Sequence, residues 1–105
     1  MSKFILLIKG GSPDDSNRDE IMGNWKSWVG GLREKSVLED MGAFEENGKN
    51  ITGSDKTVSD YVAEVGGYMI INSDSLDSAT EIAKGSPSLT LGGSVGVHPI
   101  QDMGL

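Results

Sequence analysis

Two apolar segments, each followed by a segment of helical periodicity, organise the predicted fold of this chain. The first is Phe4–Ile8 and the second is Gly67–Asn72, and both are typical of strands inside a sheet. After the first, apolar residues recur every three or four positions, so they would line one face of a helix. These residues are Ile21, Met22, Trp25, Trp28, Val29 and Leu32. The helix would begin near Ser12–Asp15 or restart near Arg18. After the second, Asp74 and Asp77 form a capping pattern for a helix that ends at Gly85, where a left-handed turn is expected.

Shorter patterns complete the sheet. Val37–Phe44 predicts a strand, and Asn47-Gly48 predicts a reversal of the chain after it. Lys49–Thr52 and Lys56–Ser59 predict a small hairpin at the edge of the main sheet, and Ser94–Ile100 predicts a final strand. The order is β-α-β-β-α-β with an inserted hairpin. We therefore predict an α+β, ferredoxin-like fold, in which an antiparallel sheet carries both helices on one face.

The second face of the predicted sheet also carries apolar residues. Because both helices are expected on the first face, this one needs another cover. A second copy of the chain would supply it, so we expect a homodimer.

Length, charge and residue types exclude several classes of protein. The 105 residues are enough for one domain and too few for two, so residues 1–105 are expected to form one domain. The net charge of −7 opposes binding to nucleic acid and to anionic membranes. With no cysteine and a single histidine, we expect no metal site and no cofactor. Phe4–Ile8 is too short for a signal peptide or a membrane span, and we expect a cytoplasmic protein.

His98 is the one side chain whose ordinary pKa lies near neutrality. At the end of the last strand it could act as a general base, with Asp60 as its orienting partner if the two converge. Asp60 lies beside Tyr61, and this pair could orient a substrate hydroxyl. The simpler interpretation, which we favour, is a strand-end histidine at the rim of the dimer and an aspartate that forms a turn.

The two tryptophans lie three residues apart on the predicted helix. Trp25 and Trp28 would form the hydrophobic wall of any pocket between helix and sheet. Core packing is the simpler role for aromatic residues at this spacing. Gly10-Gly11-Ser12, before the helix, could hold an anion through free backbone amides, although it lacks the lysine and spacing of a phosphate loop.

The sequence resembles the YCII-related superfamily, and within it the branch named for an Asp-Gly-Pro-Phe motif. The segments that carry the resemblance are Phe4–Ile8, Gly66–Ile71, Asp74–Ala79 and Gly92–Ile100. The resemblance covers almost the whole chain. It implies a ferredoxin-like subunit that pairs sheet to sheet as a dimeric α+β barrel, with a cleft between helix and sheet.

The chain departs from that family where the family's chemistry lies. The Gly-Pro pair of the branch motif is missing, since Asp60 is followed by Tyr61-Val62. In YCII-like members the suggested active site pairs a histidine on the first helix with an aspartate just before a proline after the second. The matching positions here are Trp25 and Ser86, so the dyad cannot be carried over.

These observations predict a YCII-like homodimer that binds a small organic molecule without the family's His-Asp chemistry. Its expected ligand-binding residues are Trp25, Trp28, Tyr61 and Ser86. The alternative is a metal-independent lyase or hydrolase in which His98 is the general base and Asp60 its partner. A third possibility is a purely structural dimer whose cleft is filled by the two tryptophans.

Overall fold

Four of the six strands form one antiparallel sheet that carries two helices, and the other two strands form a separate hairpin. The computed structural model describes residues 2–105. The elements in chain order are β1 (Ser2–Lys9), α1 (Arg18–Glu34), β2 (Leu38–Ala43), β3 (Gly48–Thr52), β4 (Thr57–Tyr61), β5 (Gly67–Ser73), α2 (Leu76–Ala83), a 3-10 helix (Pro87–Leu91) and β6 (Ser94–Ile100).

The main sheet has the strand order β2-β5-β1-β6, and every neighbouring pair in it is antiparallel. Each helix therefore connects two parallel strands that are separated by one antiparallel strand, which is the split βαβ arrangement. This confirms the predicted α+β architecture and its ferredoxin-like strand order. It also places β1 and β5, the two most apolar strands, at the centre of the sheet.

The core lies between the sheet and the helices. Side chains alternate between the two faces of a strand, so Phe4 and Leu6 of β1 share a face with Met69 and Ile71 of β5. All four are buried, and Leu6, Met69 and Ile71 have no exposed surface. The helices contribute Val29, Leu32, Ala79 and Ala83 to the same cluster.

None of the helices within residues 2–105 has the length and hydropathy needed to cross a membrane.

The opposite face of the sheet, which we call the open face, has no helix over it. Ile5 lies opposite Ile70 of β5 and opposite His98 of β6, and Leu7 lies opposite Tyr68. Ile5, Leu7, Tyr68 and Ile70 are half-buried, and His98 is exposed. The open face is therefore an apolar sheet surface with a histidine on its edge strand.

The inserted hairpin differs from the prediction in its position. Strands β3 and β4 pair with each other in a sheet of their own and do not extend the edge of the main sheet. Their turn is Gly53–Lys56, in which Gly53 and Lys56 have φ of 75° and 58°. The Asn47-Gly48 pair forms no hairpin turn, because β2 pairs with β5 rather than with β3. We call residues 48–61 the arm.

The structure shows where both helices begin and where α2 ends. Helix α1 begins at Arg18, the later of the two predicted starts, after a turn in which the Asp14 carboxylate accepts hydrogen bonds from the hydroxyl and amide of Ser16. Those bonds hold the pKa of Asp14 below its ordinary value. The cap of α2 is Ser75, whose hydroxyl accepts a bond from the Ser78 amide at 3.1 Å, and not Asp74. The helix ends in a right-handed conformation at Lys84, so the expected left-handed end at Gly85 was wrong.

Candidate functional site

A cleft of about 360 Å³ opens between the first half of α1 and the nearby end of the main sheet. We call it the helix–sheet cleft. Its lining comes from the β1–α1 loop, α1, the end of β2, the start of β5 and the 3-10 helix; the residues are Ile8, Gly10, Gly11, Ser12, Pro13, Met22, Trp25, Met41, Gly42, Ala43, Gly66, Gly67, Tyr68 and Ser88. None of these residues carries a charge. The cleft therefore suits a molecule with an apolar body and few polar groups.

The loop after β1 forms one wall of the helix–sheet cleft by close backbone packing. Gly10 and Gly11 both have positive φ, 68° and 69°. A side chain at Gly11 would collide with the carbonyl oxygen of Ser88. That carbonyl also accepts a hydrogen bond of 3.0 Å from the amide of Gly93. Gly11 therefore allows the loop to pack against the 3-10 helix, and Gly10 allows its left-handed backbone.

The two tryptophans separate the helix–sheet cleft from a second depression. Their rings pack edge to face with centroids 5.5 Å apart. Trp25 lines the cleft, whereas Trp28 lines a shallower surface groove together with Gly85 and Ser86. Both rings also pack against the hydrophobic core. Trp25 therefore both lines the cleft and packs against the core. Trp28 packs against the core but lies outside the cleft.

Two buried hydroxyls connect the cleft and the groove. The Oγ atoms of Ser86 and Ser88 are 2.8 Å apart, and the two residues are 2% and 1% exposed. Ser86 borders the groove beside Trp28, and Ser88 borders the helix–sheet cleft. Because each hydroxyl has the other as partner, neither is an unsatisfied buried group.

The structure does not bring His98 and Asp60 together. Asp60 lies on β4 of the arm, where its carboxylate pairs with the Lys49 ammonium at 2.6 Å. His98 lies on β6 in the main sheet, and its Nδ1 is 2.9 Å from the carbonyl oxygen of Pro99. Tyr61 is half exposed and borders a groove at the base of the arm with Phe44. These three residues and the helix–sheet cleft therefore occupy separate places.

A tyrosine–carboxylate pair on the open face was not predicted. The hydroxyl of Tyr68 donates a hydrogen bond of 3.1 Å to Oδ2 of Asp40. This bond, together with the negative charge of Asp40, raises the pKa of Tyr68 above its ordinary value. The ring lies across Gly42, where an added Cβ would come within 2.8 Å of it. Alternation along β2 places Asp40 and Gly42 on one face, but only the pairing with β5 shows which aromatic ring covers them.

A second polar cluster lies beside it. A bulge in β2 leaves Glu39 without a partner in the strand register. Its carboxylate accepts a hydrogen bond of 2.8 Å from Nδ2 of Asn72 and lies 3.7 Å from the Lys3 ammonium. The bond from Asn72, and then the charge of Lys3, hold the pKa of Glu39 below its ordinary value.

No group of three or more His, Cys, Asp or Glu side chains within residues 2–105 is placed to hold a metal ion. The nearest features to a catalytic arrangement are the Tyr68–Asp40 pair and the two serines.

Comparison with known proteins identifies a solved structure with a similar fold. No family model matches the sequence, and no curated protein matches it. Among solved structures, the chain is similar to 5-chloro-2-hydroxyhydroquinone dehydrochlorinase (TftG) from Burkholderia phenoliruptrix AC1100, in its complex with 2,5-dihydroxybenzoquinone. The two share 16% identity over 94% of this chain and 93% of that one, with a TM-score of 0.54. At this identity the likeness shows a shared fold over the whole chain.

Proposed function

We propose that this chain is a YCII-like domain that binds a small, uncharged organic molecule in the helix–sheet cleft. The observation that carries the proposal is the lining of the cleft, which has aromatic and thioether walls and no charged side chain. Its volume of about 360 Å³ also lies within the range of about 300–1,000 Å³ that is usual for ligand sites.

The charge of the ligand follows from the same lining. A carboxylate or phosphate group buried in the cleft would leave water without gaining a cationic partner, which is costly. The net charge of −7 adds a long-range field that repels anions. A neutral molecule bears neither cost. The ligand class is therefore a neutral organic molecule with a planar or apolar body.

The proposed family is supported by fold and by sequence segments together. The similar structure, TftG, holds 2,5-dihydroxybenzoquinone, so a subunit of this fold can hold a molecule with a single ring. The dyad expected of YCII-like enzymes has no equivalent at Trp25 and Ser86, whose side chains include no acid and no base. This favours binding over catalysis by that dyad.

The proposed assembly is a homodimer that covers the open face. Ile5, Leu7 and Ile70 are only half-buried in one chain, and the core cluster with both helices lies on the other face of the sheet. A two-fold pair would bring this surface against itself. The open face would then become the interior of an α+β barrel.

The binding proposal is tested with a matched pair of probes, benzamide and benzoate. Saturation-transfer NMR on the purified protein should show transfer to benzamide and little to benzoate. Met22→Trp should abolish the transfer, because Met22 lines the cleft and is 47% exposed, so a larger ring fills the mouth without entering the core. Lys26→Trp adds the same ring at an exposed position outside the cleft and is the control. Equal transfer to both probes, or unchanged transfer with Met22→Trp, would contradict the proposal.

A further inference from the structure

The arm carries an apolar surface that no other helix or strand within residues 2–105 covers. Strands β3 and β4 pack on each other and on no other helix or strand to any substantial extent. An isolated two-stranded hairpin is marginally stable in water. We infer that the arm is an interaction surface that packs against a second copy of this chain.

One face of the arm fits this role and the other does not. On the first face, Ile51 lies directly opposite Val58, and the two are 65% and 61% exposed. On the same face, the Lys49 ammonium and the Asp60 carboxylate form a salt bridge of 2.6 Å, so this pair carries no net charge. The opposite face carries the polar side chains of Asn50, Thr52, Thr57 and Ser59, with Tyr61 only at the base of the arm. The Ile51–Val58 face is therefore the one that gains from being covered.

Charge favours a second copy as the occupant. The arm holds two lysines, Lys49 and Lys56, and two aspartates, Asp55 and Asp60, so its net charge is zero. The whole net charge of −7 lies on the rest of the chain. Two copies repel each other wherever acidic surfaces meet, and a contact made through the neutral arm avoids that repulsion. A basic partner would instead be drawn to the acidic remainder of the surface.

The shape of the subunit also favours a second copy as the partner of the arm. Its extents are 46 × 40 × 19 Å, and 19 Å is the depth of one helix layer on one sheet at about 10 Å per layer. The radius of gyration is 15.7 Å, against about 13 Å for a compact chain of this length. The arm thus extends sideways and folds over neither face of its own subunit. A second copy stacked on the open face lies within reach of it.

An exposed aromatic residue links the open face to the arm. Phe44, at the end of β2, is 45% exposed and packs against the Tyr68 ring with centroids 6.1 Å apart. Apolar surface therefore continues from the open face to the base of the arm. The inference rests on the proposed dimer and adds to it a contact outside the sheet.

Thiol protection tests the contact, and the absence of native cysteines makes every introduced thiol unique. Val58→Cys and Ser59→Cys place single thiols on opposite faces of β4. We expect alkylation by N-ethylmaleimide at position 58 to be at least about tenfold slower in the dimer than in the dilute monomer, because access controls the rate. Alkylation at position 59 should not change. Sedimentation velocity on the same samples reports the assembly state.

A second measurement does not depend on the introduced thiols. Ile51→Asp and Asn50→Asp add the same charge to neighbouring residues on opposite faces of β3. Ile51→Asp should raise the dissociation constant of the dimer at least about tenfold, whereas Asn50→Asp should change it by less than about threefold.

The outcomes separate this inference from the proposals before it. Equal alkylation at positions 58 and 59 in a sample that sediments as a dimer overturns the arm contact and leaves the dimer standing. Slower alkylation at both positions in the dimer would contradict a contact made through the Ile51–Val58 face alone. A monomer at every concentration overturns both the arm contact and the dimer, and leaves ligand binding to be judged by its own experiment.

Discussion

The indole of Trp28 lies so close to Gly85 that a methyl group at position 85 would come within 2.5 Å of its Nε1 atom. This contact joins the middle of α1 to the end of α2. It also explains why glycine stands at position 85 although the backbone there is not left-handed. The glycine is needed for space around the indole and not for its conformational freedom.

Gly85→Ala should therefore destabilise the protein. The added methyl group overpacks the contact with Trp28, and overpacking of this kind costs about 1–3 kcal/mol. Gly23→Ala is the matched control, because its Cβ meets nothing within 4 Å and alanine is the better helix former. Urea unfolding should show a lower free energy of unfolding for Gly85→Ala and a slightly higher one for Gly23→Ala. Equal stabilities for the two variants would contradict the contact.

Leu6 and Leu7 are neighbours on β1 that point to opposite faces of the sheet. Leu6 is fully buried under the helices, so Leu6→Ala should lower the free energy of unfolding by about 2–5 kcal/mol. Leu7 lies on the open face, so Leu7→Ala should chiefly raise the dissociation constant of the dimer. Urea unfolding at a fixed protein concentration and sedimentation equilibrium separate the two effects. A Leu7→Ala variant that dimerises as tightly as the native chain would count against the covered open face.

The Glu39 carboxylate gives a prediction for pH. Its folded pKa lies below the ordinary value of 4.5 because of Asn72 and Lys3. A lowered folded pKa stabilises the fold above pH 4.5, and this stabilisation is lost as the pH falls through the folded pKa. Asn72→Ala should raise the pKa of Glu39 towards 4.5 in an NMR titration of its carboxyl carbon. In Glu39→Gln, the free energy of unfolding should fall less as the pH is lowered, because the contribution of the Glu39 carboxylate is absent. An unchanged Glu39 pKa in Asn72→Ala would show that the hydrogen bond does not control it.

Local periodicity was enough to predict most of the fold. The apolar and alternating segments Phe4–Ile8, Val37–Phe44, Gly67–Asn72 and Ser94–Ile100 located all four strands of the main sheet within two residues. The stripe on α1 identified Ile21, Val29 and Leu32 as buried residues, whereas Met22 of the same stripe is 47% exposed beside the cleft. The order of elements then left few topologies open.

Features that depend on distant partners were not accessible in this way. The hairpin was predicted, but its separation from the main sheet depends on what β2 pairs with, and nothing near Asn47-Gly48 determines that. His98 and Asp60 were paired by chemistry alone, and strand order places them in different sheets. Of the cleft residues, Trp25 and the Gly10-Gly11-Ser12 loop were identified from the sequence as candidates for binding. Met41 and Ser88 were not, since they come to the cleft from elements that are distant in sequence.

The most direct test of ligand binding in the helix–sheet cleft is a map of where benzamide changes the backbone amide shifts of ¹⁵N-labelled protein. We expect the largest, saturable changes at Gly10, Gly11 and Gly67, which line the cleft, and none at Asn50 or Ser59 on the arm. The same changes should be absent with benzoate. Largest shifts around Lys84 and Thr90, which border the groove of Trp28, or no saturable shift at Gly10, Gly11 and Gly67, would contradict it.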